Sequence, residues 1–214
     1  YQFVPSAGDT ATLTITPRPV HFWANDGSQV YGSLGSLPSV TLDNVLSGDD
    51  ISGVIGLRSS GAPVDHDARL RVGSYDVVVT SLSGNDVGNY YLADTGNHIG
   101  AFSVTPRPLT WSVGNSSSVY GTLATTFGAA LLEGVLSGDD VSGVVSPYGF
   151  TPAEKTPVGT YTTAVVSLTG ADAGNYTLAL SGNQYGTHVV EPKPITWTFS
   201  DVTSIYGEPL SFGS

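Results

Sequence analysis

The chain has 214 residues, no Cys and no Met, so disulfides, thiolate metal sites and cysteine nucleophiles are excluded. Charged residues are only 12% of the total, and 18 acidic against 7 basic residues give a net charge of −11. That balance argues against a basic nucleic-acid groove and against a polybasic contact with anionic lipid. Gly (27) and Pro (13) are abundant, but 40% hydrophobic residues and 11 Tyr mark a chain that folds. No apolar run approaches the roughly 20 residues that a membrane-spanning helix needs.

Taken in chain order, the sequence repeats. Pro17-Arg18-Pro19 returns as Pro106-Arg107-Pro108 and as Pro192-Lys193-Pro194. Tyr-Gly follows each time, at Tyr31-Gly32, Tyr120-Gly121 and Tyr206-Gly207. Val45-Leu-Ser-Gly-Asp-Asp50 returns as Val135-Leu-Ser-Gly-Asp-Asp140, Val72-Gly-Ser-Tyr75 as Val158-Gly-Thr-Tyr161, and Gly88-Asn-Tyr90 as Gly174-Asn-Tyr176. Two whole repeats are delimited, 17–105 and 106–191. Residues 1–16 read as the end of a preceding repeat and 192–214 as the start of a following one, so the chain is expected to be a piece of a longer array.

Strand signals dominate each repeat. Leu109, Trp111 and Val113 alternate with polar residues, as do Tyr176, Leu178 and Leu180; Tyr75–Thr80 and Tyr161–Val166 are rich in β-branched residues. Ala11–Thr16 and Ile195–Phe199 alternate too and read as strands without a partner repeat in this chain, so both ends are expected to be ordered by contacts outside this segment. The one helical candidate is a single turn at Ser47 or Ser137, each followed by Asp-Asp. Six or seven short strands in 86–89 residues predict an all-β fold of tandem immunoglobulin-like β-sandwich repeats. The alternative is a β-grasp-like sheet with a very short helix. The expected core of the second repeat is Trp111, Val119, Tyr120, Leu131, Val135, Leu136, Val144, Tyr161, Val165, Leu168, Tyr176, Leu178 and Val189, with Phe22 in the place of Trp111 in the first. The Pro-x-Pro pairs predict short stiff junctions.

The order Pro-[Arg/Lys]-Pro-[Leu/Ile]-Thr-Trp, Val-Tyr-Gly, Leu-Ser-Gly-Asp-Asp, Val-Gly-Thr-Tyr, Gly-Asn-Tyr-Thr-Leu resembles the "mostly beta, glycine-rich" (MBG or YDG) repeats of large secreted bacterial adhesins, among them filamentous-haemagglutinin-like exoproteins. The first repeat departs at His21-Phe22, which replaces Thr-Trp, and at Tyr91, which replaces Thr. The resemblance implies an extracellular or cell-surface stalk or filament with no enzymatic role and no catalytic residue. The expected partners are adjacent repeats of the same protein or neighbouring copies; the alternative is an adhesive binding module for carbohydrate, such as extracellular polysaccharide, or for protein, with calcium as its one candidate ion.

Chemistry has few footholds. His21, His66, His98 and His188 lie outside zinc-ligand spacings and read as surface or strand-edge residues. Asp49, Asp50 and Asp86 recur as Asp139, Asp140 and Asp172, and calcium is the one ion that such acidic, glycine-rich turns suit. The favoured reading is instead that each Asp caps a turn through its side-chain oxygen, with no cofactor. The loop from Gly53 to Gly73 is longer than its counterpart and gathers Asp65, His66, Asp67 and Arg69, a candidate binding loop by position and a drifting loop by default. Recurrent Tyr31, Tyr120 and Tyr206 read as core, because every repeat buries the same face. The sequons at Asn115 and Asn175 are taken as coincidence.

Overall fold

The computed structural model describes residues 12–209 and shows an all-β protein. The first repeat forms β1 (Arg18–Val20), β2 (Phe22–Ala24), β3 (Gly27–Val30), β4 (Val40–Leu42), β5 (Ser52–Ser59), β6 (Ala62–Val64), β7 (Gly73–Ser83), a 3-10 turn Val87–Asn89, β8 (Tyr90–Leu92) and β9 (Gly100–Thr105). The second forms β10 (Arg107–Val113), β11 (Ser116–Val119), β12 (Ala130–Glu133), β13 (Ser142–Pro147), β14 (Gly159–Thr169), a 3-10 turn Ala173–Asn175, β15 (Tyr176–Leu178) and β16 (Gly186–Glu191). The helical turns sit before Tyr90 and Tyr176, not at Ser47 or Ser137. There a plain turn closes with Asp49 N donating to Leu46 O at 3.2 Å and Asp139 N to Leu136 O at 3.1 Å. No α-helix occurs among the described residues.

Two compact units are built from these elements. The first takes in the chain up to Thr110 together with Leu132–Ser142 and Leu168–Gly182; the second takes in Trp111–Leu131, Gly143–Ser167 and the chain from Asn183 onward. The first unit therefore includes three segments of the second repeat, residues 106–110, 132–142 and 168–182.

In the first unit a five-stranded sheet runs β3-β9-β7-β5-β6. β3 and β9 pair in parallel, whereas β9–β7, β7–β5 and β5–β6 are antiparallel. Against it lie the β2–β4 pair and the parallel β1–β8 pair. Period-two alternation sets the inward face of β9, Gly100, Phe102 and Val104, whereas β7 is buried on both faces at Val77, Val78 and Val79. One buried cluster joins Phe22, Tyr31, Leu57, Val77 and Phe102 to Leu109 and Tyr176. Parallel β10–β15 pairing carries Arg107, Pro108 and Leu109 alongside Tyr176, Thr177 and Leu178. In the second unit a four-stranded sheet runs β11-β16-β14-β13, with β11 parallel and β14 antiparallel to β16. Trp111, Val113, Phe127, Val165 and Val190 are buried there.

Matched positions make matched bonds. Arg18 Nε donates to Asn44 O and Arg107 Nε to Gly134 O, both at 2.8 Å. Tyr75 Oη donates to Arg71 O at 2.7 Å and Tyr161 Oη to Pro157 O at 2.8 Å. Asn97 and Asn183 accept from the backbone N–H of Phe22 and Trp111. Gly84 and Gly170 occupy the same left-handed conformation, φ 121° and 117°, and a Cβ on either would overlap the carbonyl of Asp50 or Asp140.

Several expectations need correcting. Val119, Tyr120, Leu131, Val144 and Val189 are exposed rather than core. On β16 the inward face is Gly186, His188 and Val190, so the alternation turns Val189 outward and seats His188 inside at 1% exposure. The junction between the two repeats is shorter than a Pro-x-Pro pair. Pro19 and Pro108 lie within β1 and β10, and only Pro106 separates β9 from β10. Leu180 is fully exposed beyond the end of β15. The described part of the first loose end, 12–16, and Ile195–Phe199 form no strand and are exposed. Ala11 and residues 210–214 lie outside the described residues.

Candidate functional site

Asp139 is a carboxylate of the first unit that accepts from three side chains. Its position is set by the turn that follows Leu136, in which Gly138 takes φ 92°. The Asp139 side chain is only 5% exposed. It accepts hydrogen bonds from Tyr176 Oη, from Tyr31 Oη at 2.9 Å and from the Arg69 guanidinium. Arg69 also donates to Ser137 O at 2.7 Å. The Tyr31 and Tyr176 rings meet edge to face, with centroids 5.4 Å apart. Tyr31 and Arg69 belong to the first repeat, whereas Asp139 and Tyr176 belong to the second, so a single carboxylate ties the two repeats together inside one unit. Beside it Val72 N donates to Asn175 Oδ1 at 3.2 Å, and Arg71 pairs with Asp172 at 3.3 Å. Gly32 closes the joint: a Cβ there would stand 2.7 Å from Leu136 Cδ1.

The electrostatics follow from this packing. The hydrogen bond from Tyr176 holds the Asp139 carboxyl below the usual carboxylate range, with Tyr31 and Arg69 adding to the effect against the opposing cost of burial. Burial and donation to that anion push the Tyr176 phenol up to about 12. They raise Tyr31 in the same direction.

The matched carboxylate in the first repeat, Asp49, has a smaller set of partners. Tyr90 Oη donates to it at 2.6 Å, as Tyr176 does to Asp139, and that bond raises the Tyr90 phenol. Tyr90 Oη accepts from Leu46 N at 3.0 Å, and Tyr176 Oη from Leu136 N at the same distance. Instead of a tyrosine and an arginine from another repeat, Asp49 faces a groove of about 480 Å³ lined also by Pro17, Arg18, Leu46, Asn89 and Tyr90.

The remaining acidic candidates are turn residues. Asp50 Oδ2 accepts from Asn85, Asp86 Oδ2 from Asp50 N at 2.8 Å, Asp140 Oδ2 from Ala171 N at 3.1 Å, and Asp172 Oδ2 from Asp140 N at 3.1 Å. These oxygens are committed to backbone and amide donors. Among the described residues no three acidic or histidine side chains gather to hold a metal. The candidate loop splits rather than converging. His66 turns inward against Gln29 and the Phe102 ring, Asp67 accepts from Arg69 N, Asp65 is exposed, and Arg69 reaches away to Asp139. Part of its extra length is the β5–β6 hairpin.

Sequence reasoning missed two features. His188 is a core residue whose two ring nitrogens meet Ser116 and Ser118 hydroxyls at 2.9 Å, and burial lowers its pKa. Trp23, 57% exposed, stacks on His98 with centroids 3.7 Å apart and planes 4° from parallel. This flat aromatic ledge borders a groove of about 150 Å³ that Asp43 and Gly96 help to line. Ser112 and Gln184 occupy the matched positions in the second repeat, so the ledge belongs to the first repeat alone. The signal available was Trp23 standing one residue past the aromatic of the strand, on its outward face. Comparison with protein-family models, with curated proteins and with solved structures gives no match.

Proposed function

We propose that the chain is a non-catalytic structural segment of an extracellular bacterial adhesin, stalk or filament, in which repeats 17–105 and 106–191 act as spacers or fibre-building units. The observation that carries this reading is the Asp139 joint. Side chains of one repeat complete the hydrogen bonding of the next, so the first repeat contributes to a stability the second shares. The acidic turns bind their own backbone, and the polar side chains described form structural bonds rather than a nucleophile–base pair converging on a cleft. The resemblance to the glycine-rich, mostly-β repeats of secreted adhesins supports the extracellular assignment. Among the described residues no helix is long and apolar enough to cross a membrane.

Concatenated genes with two, four and eight copies of 17–191 provide the test. Negative-stain length should grow linearly with copy number, and force spectroscopy should show a matching number of unfolding events. A particle whose longest dimension stays constant as copies are added refutes the spacer reading. Protease shaving of intact cells of the source organism should release the segment; protection equal to that of a cytoplasmic control would overturn the extracellular assignment.

A second reading, an adhesive module for extracellular polysaccharide, is favoured by the Trp23–His98 ledge. A flat exposed indole beside hydrogen-bonding groups suits stacking on a sugar face. Binding on a glycan array that is lost in Trp23→Ala would support it, and an array with no signal for the intact chain would remove it.

A further inference from the structure

The Asp139 joint is made of two surfaces, and the molecule carries a second, unjoined copy of each. The receiving surface is Leu136, Asp139, Asn175 and Tyr176. Its counterpart in the first repeat is Leu46, Asp49, Asn89 and Tyr90, which line the 480 Å³ groove together with residues 15–19. Where Asn175 is 4% exposed, Asn89 is exposed, and Leu46 is 52% exposed. The inserting surface is Tyr31, Gly32, Arg69 and Val72. Its counterpart in the second repeat is Tyr120, Gly121, Lys155 and Val158. Tyr31 is 3% exposed, Tyr120 38% and Val158 53%.

The counterparts hold the right geometry before any partner arrives. Gly121 has φ 89° where Gly32 has 84°. Gly121 N donates to Glu154 O at 3.0 Å as Gly32 N donates to Ala68 O at 2.7 Å, so the loop that carries Lys155 is pinned to the Tyr-Gly turn as the loop that carries Arg69 is. Lys155 keeps the positive charge that faces the carboxylate. Asp49 already has its Tyr90 donor and its backbone turn in place. One contact is not duplicated: Pro157 stands where Arg71 pairs with Asp172.

We propose that the groove at Asp49 receives the Tyr120–Lys155 face of a second copy of this chain, with Tyr120 Oη and Lys155 Nζ donating to the Asp49 carboxylate as Tyr31 and Arg69 donate to Asp139. The two surfaces differ and lie in different repeats, so the contact is heterologous and adds copies head to tail rather than closing a two-fold dimer. This rests on the reading of the repeat as a building unit and names that unit's partner.

The experiment is sedimentation velocity of the 214-residue chain across a concentration series. The intact chain should give a ladder of species that lengthens with concentration and shortens with added salt. Tyr120→Ala alters only the inserting face and Leu46→Glu only the groove, and both positions are exposed in the free chain. Each variant alone should lose the ladder. An equimolar mixture, with one good face on each partner, should stop at a 1:1 dimer. Lys155→Glu is a second inserting-face variant and should behave as Tyr120→Ala does. Thermal melts that match the intact chain show that the variants are folded. A chain that is monomeric at every concentration, a ladder unchanged by all three substitutions, or a mixture that forms no dimer would overturn the proposal. Linear growth of the concatenated copies alongside a monomeric free chain would overturn the docking while leaving the spacer reading standing.

Discussion

Replacing Asp139 by alanine removes the acceptor of three donors at once, whereas the same change at Asp49 removes the acceptor of one. A hydrogen bond to a charged group contributes about 1.5–3 kcal/mol. The Arg69 partner counts for little, because its side chain is 49% exposed and returns to water when released. The Tyr31 and Tyr176 hydroxyls are the main loss, since both rings are buried and at least one is left without an acceptor. Asp139→Ala should therefore cost about 3–5 kcal/mol, near the value for breaking a buried charged pair. Asp49→Ala should cost about 1.5–2 kcal/mol, the loss of one charged hydrogen bond. Urea unfolding followed by tryptophan fluorescence measures both, as shifts in midpoint at constant slope. A double-mutant cycle of Tyr31→Phe with Asp139→Ala should return a coupling of at least 1 kcal/mol, as for residues in one network. If Asp139→Ala and Asp49→Ala prove equal within about 0.5 kcal/mol, the joint contributes nothing and the reasoning fails.

Other perturbations test separate parts of the structure. Asp139 has a depressed folded pKa, so its contribution is present above the unfolded value near 4 and is lost as pH falls through the folded value; an acid titration should show this loss in the intact chain and not in Asp139→Asn. Tyr176 has a raised folded pKa, so its contribution is intact below about 10 and is lost as pH rises through about 12, which Tyr176→Phe should abolish in an alkaline titration. His188 is held neutral by burial, so its contribution is present above about 6.5 and lost below it; His188→Gln should flatten stability between pH 7 and 5, and an unchanged slope would show that the ring is not buried. Gly84→Ala and Gly170→Ala should each destabilise by about 1–3 kcal/mol through strain at positive φ, and a difference of under 0.5 kcal/mol from the parent in urea melts would show that the turn is not held as described.

Much of the fold was legible because it is local. Alternation along Leu109–Val113 and the β-branched run after Tyr161 specify strands whatever surrounds them, and β10 and β14 form there. Phase was less legible. Nothing local distinguishes Val189 from Val190, and the choice is made by His188, whose ring is satisfied by two serines 70 and 72 residues away. The parallel pairings β3–β9 and β11–β16 were not legible either, since they join the two ends of a repeat. Asp50, Asp86, Asp140 and Asp172 bond within their turns, as the local Gly-Asp-Asp signal suggests, whereas Asp49 and Asp139 do not cap a turn and give their carboxylates to tyrosines. The loop at Asp65–Arg69 misled because proximity in sequence suggested one cluster, while the sheet edge sends His66 inward and Arg69 outward.

The recurrent tyrosines show where repetition misleads. Tyr31, Tyr120 and Tyr206 recur, and recurrence alone predicts core. A repeated residue is under the same constraint in every copy, but that constraint can come from the copy's own core or from the next copy along. Tyr90 and Tyr176 are of the first kind: both are 6% exposed, and each bonds the Asp of its own repeat. Tyr31 is of the second kind, and Tyr120 is its unjoined match. Each stands one residue past a strand, yet one is 3% exposed and the other 38%, and what distinguishes Tyr31 is the bond and ring contact it makes with residues 108 and 145 positions further along. Burial that differs between matched residues is thus the mark of a joint, and burial that agrees is the mark of a core. The same criterion separates Arg69, which reaches Asp139, from Arg18 and Arg107, which make the same bond within their own repeats. Applied to the exposed Leu46 and Asn89 it selects the Asp49 groove, and applied to Tyr120 and Val158 it selects the face that fits there.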